Sequence, residues 1–251
     1  MSGRKSVDDR KKRNAKKMGR QKTLILCDFD GTTCSNDMGN TIMNRFAKGW
    51  QEIDRSYCAN VIGSRLAYLQ IQPLFRGTER GMVNYALEHE KLDPHFGSFY
   101  ENCRDKGIDL KIVSDGLDFY ISSILQKHGL EEIEFYANRI VFHNDAKVSL
   151  EFPSPRNGCD LCGTCKSTIL DSHRESYDSI IYVGDSYSDV CPSQKADLVF
   201  AKPILSEKCR KRGKACIDYE NFRDVAEYLS KMLETEESRK VELRPLRGVT
   251  G

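Results

Sequence analysis

Lys22–Thr33 reads KTLILCDFDGTT. Four uncharged residues, Leu24-Ile25-Leu26-Cys27, run into Asp28-Phe29-Asp30, followed by Gly31 and two threonines. A short apolar run bounded by turn residues predicts a fully buried strand of a parallel sheet. Gly31 lets the backbone turn sharply where that strand ends. Two carboxylates are thereby set where a buried strand opens to solvent, and in open α/β sheets ligands bind at the carboxyl ends of the strands. Strand side chains alternate, so positions 28 and 30 share a side.

Close carboxylates repel and raise each other's affinity for protons. A divalent cation removes the conflict, and Mg²⁺ favours one or two carboxylates together with phosphate oxygens and water. The stretch therefore reads as a hard-metal, phosphate-handling site with an aspartate available as nucleophile. A bare D-x-D is also an ordinary Asp-rich turn, or the metal-holding pair of some glycosyltransferases. The apolar strand joined to D-x-D-G-T is far more specific.

The 251 residues suffice for one large α/β domain carrying a helical insert. No run approaches the ~20 apolar residues of a membrane span, and the N-terminus has no apolar core of a secretory signal. The expected location is the cytoplasm, with no membrane partner. The net charge of +2 hides an asymmetry: residues 1–22 hold ten Lys/Arg against Asp8 and Asp9, leaving 29 basic and 35 acidic residues, a net of −6, in the remainder. The basic segment reads as a disordered, solvated tail. With no aromatics to stack on bases, no specific nucleic-acid partner is expected. A homodimer is among the assembly states left open.

From residue 34 to 92 the periodicity is helical: Met38, Ile42, Met43 and Phe46, with Trp50 a turn later; then Val61, Ile62, Leu66 and Leu69; then Met82, Val83, Ala86 and Leu87. Beyond Pro94 strands and helices alternate. Strands are expected at 108–113, 135–142, 147–152, 179–183 and 197–200, and helices at 96–106, 117–128, 167–175 and 222–233. The fold class is α/β, a doubly wound, Rossmann-like parallel sheet with an inserted all-helical cap. The expected organisation is a disordered basic tail at 1–22, a core at 23–34 and 94–235, a cap at 35–93, and a flexible C-terminal tail at 236–251.

Three strands then end on phosphate-competent residues: Asp28/Asp30, Ser114 before Asp115-Gly116, and Asp185/Asp189. In a parallel sheet these ends lie on one edge. The hydroxyl of Ser114 can donate to a phosphoryl oxygen, helped by neighbouring amides such as that of Gly116. Lys166 opens a helix 19 positions before Asp185, although an ordinary surface lysine has the same local pattern.

These strings, in this order, resemble the four motifs of the haloacid-dehalogenase phosphatase superfamily, over about residues 22–233. Within it, D-F-D-G-T-x-x-x-N-D, S-D-G, C-G-T-C-K and G-D-S-x-x-D are similar to the subfamily of the methionine-salvage 2-hydroxy-3-keto-5-methylthiopentenyl-1-phosphate phosphatase. The phosphoethanolamine/phosphocholine phosphatases are its relatives, and Cys191-Pro192 is similar to theirs, whereas Gly31 favours the first group. The resemblance implies an Mg²⁺-dependent phosphomonoesterase for a small phosphorylated metabolite. Asp28 would be nucleophile, Asp30 acid and base, and Lys166 the balancing cation, with Ser114 and Gly116 on phosphate and Asp28, Asp30, Asp185 and Asp189 about the metal. Substrates of the alternative are phosphocholine, phosphoethanolamine or phosphoserine. In another class, receiver-type phosphate-accepting regulators use similar residues but lack a cap, and an RNA-associated protein with a vestigial core is opposed by the intact motifs.

Substrate choice then falls to the cap. Asp37, Arg76 and Arg80 are the candidates to meet the leaving group, with exposed ion pairs as the plainer account. Cys159-x-x-Cys162-x-x-Cys165 has three readings: part of a structural Zn²⁺ site needing a fourth ligand, a redox-labile thiol cluster, or plain loop cysteines.

Overall fold

The computed structural model describes residues 22–242, apart from 145–146, 157–158 and 160. The expected basic tail up to residue 21 and the last nine residues of the expected C-terminal tail lie outside the described residues.

In chain order the elements are β1 (Thr23–Cys27), α1 (Met38–Phe46), α2 (Gln51–Cys58), α3 (Ser64–Ile71), α4 (Glu79–His89), α5 (Phe96–Asp105), β2 (Asp109–Leu117), α6 (Asp118–Lys127), β3 (Phe135–Phe142), β4 (Val148–Glu151), α7 (Lys166–His173), β5 (Ser179–Gly184), α8 (Val190–Lys195), β6 (Leu198–Ala201), α9 (Pro203–Lys211), β7 (Ile217–Asp218) and α10 (Phe222–Glu242). The seven strands lie in the order β4-β3-β2-β1-β5-β6-β7, parallel except for the β3–β4 pair. The chain thus builds outward from β1 in both directions, which puts the reversal of strand order, and hence the ligand crevice, beside the end of β1.

The alternation of β1 divides the core. Ile25 and Cys27 pack with Ile112, Ile181 and Val183, and this larger cluster continues into the helical insert and α6 and α10. Leu24 and Leu26 face the other way, onto Val113, Ile180, Tyr182 and the helices α7–α9. Leu24, Ile25, Leu26 and Cys27 have no exposed surface, and each of the three aliphatic side chains contributes about 1.5–3 kcal/mol of transfer free energy. A charge in this stretch would break both clusters.

Between Cys34 and Leu92 the chain makes α1–α4 and a 3-10 turn at Gln72–Leu74. Its entry and exit are paired: Cys34 bridges Leu92, Ser35 N donates to Lys91 O at 2.8 Å, and Asp93 N donates to Thr33 O at 2.9 Å.

Several details differ from the sequence reading. The insert contains a helix, α2, that has no buried residue and therefore no apolar stripe to reveal it. In α3 the expected stripe faces outward: Leu66 and Leu69 are exposed, as is Val61 before them, while Ser64, Ala67, Tyr68 and Ile71 are buried. The face of α3 that carries a hydroxyl and a phenol is turned inward, which apolar periodicity cannot report. Strand β2 continues through Ser114 to Leu117, with its register against β3 shifted between Val113 and Leu117. Helix α9 opens on Pro203, whose fixed φ suits a first helical turn, and was not anticipated. Helix α10 runs nine residues past the expected Leu233, through a Glu/Lys/Arg-rich segment of good helix formers that composition alone marks as a tail.

Candidate active site

Asp28 is the first residue beyond β1. Its backbone amide donates to Val183 O of β5 at 2.9 Å, and its carbonyl accepts from the Thr33 hydroxyl at 2.7 Å, so the turn is tied to both neighbours. Its Oδ1 accepts from Phe29 N at 2.6 Å, and its Oδ2 lies 2.7 Å from Lys166 Nζ. Gly31 sits at φ +73°, and a Cβ there would come within 2.3 Å of Asp185 Oδ2. The glycine is therefore required both for the turn and for the approach of the third carboxylate.

Lys166 is the first residue of α7 and is buried against the strand ends. Its three ammonium donors are distributed over Asp28 Oδ2 at 2.7 Å, Asp189 Oδ1 at 2.7 Å and Ser188 Oγ at 2.9 Å. Burial lowers its proton affinity, but the two carboxylates outweigh it and hold the amine well above its ordinary value. Asp189 also accepts from Tyr182 OH at 2.6 Å on Oδ1 and from Asp185 N (2.9 Å) and Ser186 N (3.1 Å) on Oδ2. Burial pushes its carboxyl up, yet Lys166 and these donors leave it below the usual carboxylate range.

One ammonium thus serves two carboxylates at equal distance, and Asp189 alone gains further donors from Tyr182, Asp185 N and Ser186 N. Asp28 is left raised, by burial first and then by the charge of Asp189, with Lys166 opposing. Asp185 is pushed up to about 7 by burial and Asp189, against the pull of Lys166 and Lys202. Asp30 uses Oδ1 for the amides of Met38 (2.7 Å) and Gly39 (3.4 Å) at the start of α1, and Oδ2 for the hydroxyl of Tyr120 at 2.6 Å. Burial and the charge of Asp37 raise it to about 7 despite these donors. Gly116 lies so close that a Cβ would stand 1.8 Å from Tyr120 OH and 2.5 Å from Asp30 Oδ2. Ser114 is buried, and its Oγ accepts from Gly116 N at 3.0 Å.

Ligand atoms of Asp28, Asp185 and Asp189 lie within 4.8 Å of one another, and among the described residues no other group of three or more potential ligands does. Three hard carboxylates with a deficit of positive charge suit Mg²⁺. Asp189, with two donors on each oxygen, has no free lone pair directed to a metal, whereas Asp28 Oδ1 and both oxygens of Asp185 carry fewer partners. The sulfurs of the cysteine triplet do not all come within 4.8 Å of one another, although burial and Asp115, with Cys165, Cys191 and Cys159 near enough to add to them, push Cys162 up to about 12. A zinc site finds no support there.

A cavity of about 330 Å³ stands over these residues. Its floor includes Asp28, Asp30, Ser114, Gly116 and Asp185, and its roof comes from the insert through Met43, Trp50, Asp54, Tyr57, Tyr68 and Ile71. Asp37 lines it too, while its Oδ1 caps α1 by accepting from Asn40 N at 2.7 Å. Arg76 and Arg80 do not line it. The Arg76 guanidinium donates to Pro73 O and Phe75 O at 2.7 and 2.6 Å, so it braces its own turn, and Arg80 is exposed on α4. The structure therefore does not bring these two arginines, which flank Gly77, to the cavity that holds the carboxylates.

Sequence reasoning missed Tyr120, Tyr182, Ser188 and Lys202. Lys202 donates to Gly31 O at 2.6 Å. A tyrosine inside the otherwise apolar β5 was a usable signal, because a buried phenol needs a partner. Tyr120 carries no comparable local mark, since its partner Asp30 is 90 residues away.

A family model described as "Putative Phosphatase" matches residues 23–203. The 2-hydroxy-3-keto-5-methylthiopentenyl-1-phosphate phosphatase of Bacillus pumilus (strain SAFR-032) is 29% identical over 225 residues, covering 86% of this chain and 95% of that protein. The protein of the same name from Brevibacillus brevis is 27% identical over 219 residues, covering 84% and 97%. Among solved structures, a phospho-aspartyl intermediate analogue of phosphoserine phosphatase superposes with a TM-score of 0.65 at 21% identity, over 83% of this chain and 99% of that one. A substrate-bound phosphoserine phosphatase complex gives 0.64 at 22%, over 84% and 99%, and these two likenesses speak to the fold. Among the described residues no helix is long and apolar enough to cross a membrane.

Proposed function

From the premise that the chain belongs to this phosphatase family, of haloacid-dehalogenase type, we propose that it hydrolyses a small phosphomonoester in two steps through an aspartyl-phosphate on Asp28. The observation that carries the reading is the pairing of a lysine-bound carboxylate, Asp28, with a second carboxyl, Asp30, that titrates near neutrality in the same cavity.

An oxygen of Asp28 attacks phosphorus, and the bond from phosphorus to the leaving oxygen breaks. Asp30, half protonated near pH 7, gives its proton to that oxygen. It then takes a proton from the water that attacks phosphorus and frees Asp28, releasing inorganic phosphate. Tyr120 and the amides of α1 hold the Asp30 carboxyl in place throughout. Lys166, buried behind Asp28, balances the charge of the nucleophile, while Ser114 and the Gly116 amide face the equatorial oxygens from the cavity wall. Mg²⁺ would be held by Asp28, Asp185 and the backbone carbonyl of Asp30, and when bound it supplies positive charge to the phosphoryl group. Asp189 orients Lys166 and the Asp185 turn from behind. The insert, residues 35–93, serves as the cap that excludes water and selects the leaving group.

For the substrate, no Lys, Arg or His of the described residues lines the cavity, and Met43, Trp50, Tyr68 and Ile71 make its roof largely apolar. This disfavours an anionic leaving group such as that of phosphoserine, whose carboxylate would meet Asp37 and Asp54, and suits the apolar end of the substrate named for the Bacillus pumilus relative. The test is turnover of the methylthiopentenyl enol-phosphate, phosphocholine and phosphoserine with and without Mg²⁺. The reading expects metal-dependent release of phosphate, fastest from the first. Preference for phosphocholine moves the substrate to the sister group, and no release from any phosphomonoester defeats the proposal.

A further inference from the structure

Asp115 follows Ser114 in β2 but has no part in the phosphate chemistry above. Its carboxylate instead joins three stretches of chain that are remote in sequence. Oδ1 accepts from Thr164 N at 2.8 Å and from Asn138 Nδ2 of β3 at 3.0 Å. Asn138 Nδ2 also donates to the Asp115 carbonyl at 2.6 Å, and its Oδ1 accepts from Thr164 Oγ1 at 2.9 Å. Oδ2 accepts from the hydroxyl of Ser64, the first residue of α3 in the insert. Ser64 Oγ in turn accepts from Gly163 N at 3.3 Å, and Arg65 N donates to Leu161 O at 3.2 Å.

The segment 161–164 that α3 rests upon leads, one residue later, through Cys165 into Lys166. Three of the groups around Asp115, namely Asn138, Thr164 and its own backbone, belong to the sheet side. Ser64 alone comes from the insert. Lifting α3 from the core would leave the Asp115 carboxylate short of one donor and would strip Leu161 O and Gly163 N of their partners in the same motion. A buried polar group left unpaired costs about 1–3 kcal/mol, so these bonds break or form together.

We propose that Asp115 is a positioning residue: through Ser64 it seats the insert on segment 161–164, and this seat fixes the backbone on either side of the phosphate site, Ser114 on one hand and Lys166 on the other. The cysteine-rich loop is then the seat of the cap. The inference rests on the cap reading given under the proposed function. It makes closure and catalytic geometry one event, since the machinery is fully ordered only while α3 is down.

The experiment compares wild type, Ser64→Ala, Asp115→Ala and the double variant, in the presence of Mg²⁺. Steady-state kinetics use p-nitrophenyl phosphate, and backbone amide exchange is followed over 63–67 and 161–167. Ser64→Ala is expected to lower kcat about tenfold, with KM changed less, and to raise exchange in both segments together. Asp115→Ala is expected to lower kcat at least as far, and the double variant to be no worse than Asp115→Ala within about twofold, because both act through one contact. Unchanged kcat in Ser64→Ala, increased exchange confined to 63–67, or additive losses in the double variant would each overturn the inference. A wild type that releases no phosphate from any phosphomonoester would instead bring down the function on which it rests.

Discussion

The floor and the roof of the cavity are built on opposite plans. On the floor, one ammonium, four carboxylates and two tyrosines exchange short hydrogen bonds among strand ends, and Lys166 and Asp189 have every donor or acceptor engaged. On the roof, Met43, Trp50, Tyr68 and Ile71 present mostly apolar surface, and the insert's polar contacts with the rest of the chain include the Met38 and Gly39 amides with Asp30, Ser64 with Asp115, Gln72 with Leu150 N at 3.0 Å and Glu90 with Lys127 and His128. Phosphate is the same in every substrate, so its partners can be fixed in advance. The leaving group varies, and apolar packing accommodates change of shape better than a saturated polar network does.

The sharpest break between the two regions is expected at Asp28. Asp28→Asn should lower kcat by ~10⁴-fold or more while the melting temperature stays within a few degrees, since an amide cannot attack phosphorus. Near-normal kcat would remove the nucleophile from the floor. Next comes Asp189→Ala, which deprives the Tyr182 hydroxyl and two backbone amides of their acceptor and leaves Lys166 with Asp28 and Ser188 alone. A loss of about 3–5 kcal/mol in denaturant unfolding is expected, and a loss below about 1 would show that the network is less closed than its geometry.

The pH dependence probes the floor more gently. Asp30 and Asp185 titrate near 7 when folded and near 3.8 in their ordinary state, in each case through burial first. Between those values the folded chain binds more protons than the unfolded one, so stability without metal should fall as pH rises from about 4 to 7, and Mg²⁺ should reverse the trend. Stability that rises over this range in chelator would contradict the raised carboxyls. For turnover, loss of the Asp30 proton should depress kcat/KM above about pH 7. Because the Tyr120 hydroxyl favours the ionised form, Tyr120→Phe should carry that limb to higher pH, and an unmoved limb would separate Tyr120 from Asp30.

The smallest effect is expected outside both regions. Arg76→Ala removes a side chain that braces Pro73 and Phe75 and does not reach the cavity. Its kcat/KM should remain within about twofold and its stability within about 1 kcal/mol. A larger loss in kcat/KM alone would extend the roof to the arginine.

The sequence was readable where chemistry is local. The apolar run of β1 with D-x-D-G-T, the strand ends at Ser114 and Asp185, and the helix opening at Lys166 are each contiguous strings whose residue types have few uses together. What escaped reading depends on contacts across the fold. The inward face of α3 could not be told from its outward one, because a hydroxyl and a phenol there replace the apolar stripe. The helix α2 offers no buried residue to detect. Tyr120 reports on Asp30 only after the chain has folded, and the cysteine spacing suggested a ligand set where the backbone instead provides a seat for another segment.

The pairing of Cys34 with Leu92 has a consequence for what can be inherited separately. Chain leaves the sheet and returns to it within one bridge, so to the strands the whole insert is a single closed loop. The entropy of closing such a loop grows only with the logarithm of its length, about 0.6 kcal/mol for each doubling. Helices can therefore be lengthened, exchanged or resurfaced between these two residues at little expense to the register of β1 against β2 and β5. New leaving groups become accessible to an old phosphoryl-transfer floor by changes between these two residues that keep Met38, Ile42, Met82 and Ala86 in the core they share with the sheet.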